Sequence, residues 1–258
     1  MEMPKKVSRR LFVKYAGLTG AGLAGAATAP AHLVAQPPQS AATATPKLLE
    51  VTVAQFPLQP ANYTFFTKSE AAFIEAAIDQ LIPKDSVGPG ALELNVAVYI
   101  DRQLASSFGN GEYLYLEGPF QQGTPQQGYQ LPLRPREVYR IGIADVDHYC
   151  RASFGEKVFG QLGTSDQIKV LTGLEKGEIT LANLPAPLFF GMLLQNTIEG
   201  YFADPIYGGN RDMASWKMLG FPGAHADFRD EVGKSERVVR APIDLAQAMQ
   251  QPQRATRG

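Results

Sequence analysis

Cysteine is almost missing from the sequence: Cys150 is the only one in 258 residues. A single thiol excludes an internal disulfide, a CxxCH haem attachment and a cysteine-ligated iron–sulfur cluster within the chain. Placed on a predicted helix beside Tyr149, it reads as a buried, inert thiol. Histidine is nearly as scarce, and His148 and His225 lack the HxxxH or HxH spacing that anchors a metal, while His32 stands in the N-terminal segment. No GxSxG nucleophile elbow occurs. A strong charge of one sign is lacking too. Five of the 24 basic residues and one of the 25 acidic ones lie within 1–35, which leaves the rest at a net charge of −5. That balance excludes a nucleic-acid partner, which calls for a basic face.

Present instead is a 45% hydrophobic composition, enough to build a sizeable core. Ser8, Arg9, Arg10, Phe12 and Lys14 stand ahead of a weakly hydrophobic, glycine-diluted run from Tyr15 to Ala29. This resembles a twin-arginine export signal, and the glycines from Gly17 to Gly25 belong to it rather than to a phosphate-cradling loop. The run is too short and too rich in glycine to span a bilayer well. Cleavage is expected after Ala31 or Ala35, with an uncleaved anchor as the alternative. Residues 36–62, rich in Pro, Ala, Thr and Gln, read as an extended linker.

Periodicity then predicts helices. Thr67 to Glu70 is a capping box that opens a stripe of Phe73, Ile74, Ala77, Ile78, Leu81 and Ile82, ended by Pro83. A second helix is expected over Ala91–Leu104, and a third from Pro135 to Phe154, stopped by Gly155. Thr164 to Gln167 repeats the capping box ahead of Ile168, Leu171 and Leu174, and Gly177 ends that fourth helix. A fifth, from Pro187 to Ala203, carries Phe190, Leu194, Ile198 and Tyr201 on one face. Residues 109–132, with Tyr113, Tyr115 and Phe120, either bind a partner or pack back over the helices. Pro242 to Gln250 is a short helix with Ile243, Ala246 and Met249 on one face. The expected architecture is all-α: a signal segment (1–35), a linker (36–62), a single helical domain with long ordered loops (63–235) and a tail (236–258).

The rest of the chain is organised around Asn196–Gly223. Asp204-Pro205 ends the fifth helix, Gly208-Gly209-Asn210 suits positive φ, and Gly220-Phe221-Pro222-Gly223 makes a second turn. Glu199, Asp204, Tyr207, Gly208, Gly209, Asn210, Arg211, Asp212 and Trp216 are its candidate interface or loop-closing residues. Trp216 is expected to fill the core and Tyr207 to face a partner, with Arg211 satisfying Glu199 or Asp204. Two constellations stand out as candidate chemistry: Glu199 with Asn196 as a buried acid or base, and His148 three residues after Asp145 as a metal site or relay. Each has a structural reading beside it, a pinned turn for the first and a satisfied polar pair for the second.

The string from Glu199 to Gly223 resembles the signature of the gluconate 2-dehydrogenase subunit 3 family, the small subunits of membrane-associated, flavin-dependent sugar and polyol dehydrogenases. The resemblance spans roughly Phe65–Gly223. It implies an accessory subunit with no catalytic, cofactor or metal residues of its own, in a complex where a large chain holds FAD and a multihaem cytochrome chain holds haem c. It further implies escort of the large chain by the twin-arginine translocase to the periplasm, on the outer face of the cytoplasmic membrane. Two other readings are a stand-alone exported enzyme using Glu199, Asp204, Arg211 and His148, and an exported binding module with a different partner.

Overall fold

The computed structural model describes residues 63–121, 123–235 and 239–250. The export-signal residues Ser8, Arg9, Arg10, Phe12 and Lys14 and the linker 36–62 lie outside the described residues. Among the described residues regular structure is helical, apart from one isolated parallel bridge between Gly223 and Ile243. The helices are α1 (Lys68–Leu81), α2 (Val96–Ala105), α3 (Ser107–Asn110), α4 (Pro135–Ser153), α5 (Thr164–Lys176), α6 (Ala186–Phe202), α7 (Ala214–Leu219) and α8 (Leu245–Gln250).

Helix α1 starts where its chemistry says it should. The Thr67 hydroxyl accepts the Glu70 amide at 3.4 Å while the Glu70 carboxylate accepts the Thr67 amide at 2.8 Å, satisfying two orphan donors of the first turn. Its stripe, Phe73, Ile74, Ala77 and Ile78, is buried. Phe73 meets Phe159 at 4.6 Å and Phe189 at 6.1 Å between ring centroids, and Phe189 meets Tyr139 of α4 edge-on at 6.0 Å. Helix α6 is therefore the axis of the domain, packed against α1, α2, α4, α5 and α7. Ahead of α1, the buried Asp101 of α2 accepts the amides of Thr64, Phe65 and Phe66 at 2.7, 2.9 and 2.8 Å, which ties the incoming chain to the core. Arg140 adds a second tie by donating to the Phe65 carbonyl at 2.7 Å, lying over the Phe65 ring and pairing with Glu70.

Four local expectations are corrected. Helix α2 begins at Val96 rather than Ala91, because Asn95 takes a left-handed conformation (φ 57°) and residues 91–95 form a turn held by Ala91 N–H donating to the Ile82 carbonyl at 2.8 Å. Helix α5 is capped by Gly163, with Thr164 already helical, and turns Gln167 inward to donate to the Phe159 carbonyl at 3.3 Å while Ile168 is 41% exposed. On α6 the buried face runs through Phe189, Phe190, Leu193, Asn196, Thr197, Gly200 and Tyr201, so Leu194 and Ile198 are only half-buried. The C-terminal helix starts at Leu245, and Ala246 and Met249 face solvent. In the long loop Tyr115 is 84% exposed, whereas Tyr113, 59% exposed, stacks on Phe108 of α3 at 5.7 Å between ring centroids.

Candidate functional site

The signature loop is closed from inside by a buried asparagine. Asn210, fully buried and left-handed (φ 43°), donates from Nδ2 to the Ala203 carbonyl at 2.9 Å, and its Oδ1 accepts the Ser215 amide at 3.0 Å and hydroxyl at 2.6 Å. One side chain thus joins the end of α6 to the start of α7. Asparagine suits the position because it tolerates the left-handed region better than other non-glycine residues and brings both a donor and an acceptor. Gly209 seats the loop against α6: a Cβ there would fall 2.1 Å from the Gly200 carbonyl oxygen, and one at Gly200 would fall 2.6 Å from the Tyr99 ring. These two close approaches admit only glycine. Trp216 is 6% exposed, donates from Nε1 to the Phe202 carbonyl at 2.8 Å and meets Phe221 edge-on at 5.2 Å. It is a core residue, as its type suggested.

The other candidates divide between ties and surface. Asp204 accepts the Ile206 amide at 3.0 Å and, from far along the chain, the Leu245 amide at 2.9 Å. Arg211, half-buried, has its Nε 3.7 Å from the Asp212 carboxylate, and its amide donates to the Leu94 carbonyl at 3.3 Å. Gly208 (φ 106°) lies over Arg102 and Val98 of α2, and Asp212, also at positive φ (56°), is exposed. Tyr207 is 50% exposed, beside Ile206 at 47% and Phe202 at 39%.

Glu199 corrects an expectation. It is exposed rather than buried, and accepts Gln195 Nε2 at 2.7 Å and Asn196 Nδ2 at 3.5 Å. Asn196 is the buried link, its Oδ1 accepting the Tyr139 hydroxyl at 3.2 Å. Around this carboxylate stand tyrosines: burial, then Glu199, Tyr207 and Tyr113 in turn, push the Tyr99 phenol up to about 12.

Elsewhere the pairings are structural. Asp145 accepts the Asn183 amide at 2.9 Å and Nδ2 at 2.7 Å, and His148 is exposed. Cys150 is fully buried, and burial first, then Asp147, push its thiol up to about 12, with Arg151 opposing. Among the described residues no three His, Cys, Asp or Glu side chains converge as a metal site. Residues that the sequence did not single out, Asp101 and Ser215, carry the buried polar ties. Asp101 had a signal: it is the acidic residue inside the apolar stripe of Ala97, Ile100 and Leu104.

The described residues thus form a helical scaffold around one internally pinned loop. A family model for gluconate 2-dehydrogenase subunit 3 matches residues 68–223, and the chain belongs to this family. Such a chain is one subunit of a multi-subunit dehydrogenase complex. No curated protein and no solved structure matches the chain.

Proposed function

We propose that this chain is the non-catalytic small subunit of a periplasmic, membrane-associated, flavin-dependent sugar or polyol dehydrogenase, which binds and stabilises the large flavoprotein and escorts it through the twin-arginine translocase. In this reading FAD belongs to the large chain and haem c to a multihaem cytochrome chain. Membrane association comes through the complex; among the described residues no helix is long and apolar enough to cross a membrane. One observation carries the reading. At the C-terminal end of helix α6, past the exposed polar pair Gln195 and Glu199, the half-buried Met192, Leu194 and Ile198 flank the exposed Phe202, which leads into the exposed Ile206 and Tyr207 of the loop. An exposed apolar cluster of this kind, Phe202, Ile206 and Tyr207 rimmed by polar residues, marks a protein-binding surface.

Co-expression of this chain with a tagged large flavoprotein subunit tests it. The two should co-purify with flavin in the large chain, and Ile206→Asp with Tyr207→Ala should lower recovery at least tenfold while the free chain melts within ~2 °C of the parent. Failure to co-purify, or recovery untouched by the pair, would sink the docking surface. Replacing Arg9 and Arg10 by lysine preserves charge but loses the planar donor fork. Dye-linked dehydrogenase activity should then stay in the cytoplasm, and activity that still reaches the periplasmic side would remove the escort role alone.

A further inference from the structure

The signature loop already holds a peptide, one supplied by its own chain. Residues 241–245, Ala-Pro-Ile-Asp-Leu, lie C-terminal to the family-matched region; 241–244 run along the Pro222–Ala224 edge and Leu245 opens helix α8. Ile243 N–H donates to the Pro222 carbonyl at 3.2 Å, the Ile243 carbonyl accepts the Ala224 amide at 2.8 Å, and Gly223 and Ile243 form a parallel bridge. A third contact comes from the motif itself, Asp204 Oδ2 accepting the Leu245 amide at 2.9 Å. Gly223 makes the approach possible: a Cβ there would lie 2.1 Å from the Ile243 carbonyl oxygen and 2.9 Å from the Trp216 ring. Just upstream the tether is polar, with Arg240 paired to Glu231 at 2.5 Å and donating to the Asp227 carbonyl at 3.0 Å.

The two main-chain bonds at Ile243 are those of strand addition, in which main-chain bonds supply affinity and side chains supply choice, and the Asp204 carboxylate holds the first amide of the helix that follows. Three of the groups that make them, the Asp204 carboxylate, the Pro222 carbonyl and the Ala224 amide, belong to the loop, and only the occupant comes from the tail. The occupant is also lightly held. Ile243 and Leu245 are half-buried, Ala241 and Ala246 are exposed, and Val239 and Met249 are 80% and 76% exposed. We propose that the edge formed by Asp204 and Pro222–Ala224 is a receptor for an extended apolar peptide segment of the large subunit, and that residues 241–245 fill it in cis until that segment displaces them. This rests on the accessory-subunit reading for the identity of the partner, but not for the existence of the receptor. The cis segment covers the main-chain groups of the edge in the free chain, and competes with any outside ligand at the millimolar effective concentration typical of a short tether.

The receptor is tested without the large subunit. In the full chain, Ile243→Pro and Leu245→Pro together remove two of the donated amides and leave the receptor untouched. A fluorescein-labelled peptide of sequence RAPIDLAQ is then titrated by anisotropy. The released variant should bind it saturably, the parent chain at least tenfold more weakly, and Asp204→Ala in the released variant should weaken binding roughly tenfold or more through loss of a charged acceptor. No binding to a released variant that keeps the parent's tryptophan emission overturns the proposal, as does equal binding by the parent. Hydrogen exchange on the unaltered chain gives an answer even if the double variant does not fold. The Ile243 and Leu245 amides should exchange at least a hundredfold faster than core amides such as Ile78, since displacement needs a local opening. Protection equal to the core would overturn it.

Discussion

Asn210→Ala is the most informative single change to the loop. It leaves the Ala203 carbonyl and the Ser215 amide without the partners they had at 2.9 and 3.0 Å, in a place where Asn210 itself is fully buried. Each buried, unsatisfied backbone group costs about 1–3 kcal/mol, and the Ser215 hydroxyl is free to turn elsewhere. Alanine must also adopt the left-handed conformation that Asn210 holds at φ 43°, at about 1–2 kcal/mol. Together these give about 3–8 kcal/mol; because the Ala203 carbonyl is only part-buried the lower part of that range applies, and about 4 kcal/mol for a domain of this size lowers the melting temperature by roughly 8–16 °C. Asn210→Gly loses the same bonds without the conformational term, so it should be about 1 kcal/mol less damaging than alanine. Thermal melts followed by far-ultraviolet circular dichroism and tryptophan emission measure both. A shift under about 3 °C for Asn210→Ala would show that the loop is closed by packing alone and that the hydrogen-bonded hub carries no weight.

Asp101→Ala removes the acceptor of three amides, of which the Phe66 amide is buried, and should cost about 2–4 kcal/mol in urea unfolding. Asp101→Asn, which keeps acceptor capacity, should recover part of that loss; equal losses for both would point to packing instead. Burial pushes the Glu70 carboxyl up, but the hydrogen bonds from Arg140 and Thr67 outweigh it and hold the carboxyl below its ordinary value. Because the folded-state value is depressed, the stabilisation is present above the unfolded carboxylate range near ~4.3 and fades as pH falls through the folded value. Glu70→Gln should therefore flatten the acid limb of the stability curve, and an unchanged limb would contradict the assignment. With its thiol pushed up to about 12, Cys150 should resist Ellman's reagent at pH 8 in the native chain and react at once in urea; rapid native reaction would refute its burial.

Where a feature depends on neighbours in sequence, it was legible. The Thr67/Glu70 box, Pro135 in the first turn of α4 and Gly177 at the end of α5 fix helix ends through contacts within a few residues. Trp216 as core also followed from residue type and setting. What stayed hidden depends on partners far along the chain. The stripe Phe190, Leu194, Ile198, Tyr201 has good helical spacing, yet α6 is apolar on so many sides that periodicity does not choose which side is inner. Tyr139 decides it, by drawing Asn196 inside. Charge alone pairs Arg211 with Glu199 or Asp204, whereas the Asp204 oxygens serve backbone amides, one of them 41 residues away at Leu245. Asn210 was recognised as a turn residue, but its role as a hub needed Ala203 and Ser215 in place.

The left-handed residues Asn95, Asn210, Asp212 and Met213 have a consequence for association. Backbone placed in that region is unfavourable for side-chain-bearing residues, so a loop containing three of them within four positions is kept in shape by its surroundings and not by its own preference. Its conformational entropy is surrendered when the domain folds, before any second protein arrives. Ordering a flexible side chain at an interface costs about 0.5–1.5 kcal/mol, and ordering loop backbone adds to that. A surface that is already set avoids most of the backbone share. Docking onto the preset Tyr207 side of the loop should accordingly resemble rigid-body association, with a heat-capacity change that tracks the apolar area covered, and any added signature of a segment ordering on contact should come from the exchange of residues 241–245 at the Pro222–Ala224 edge.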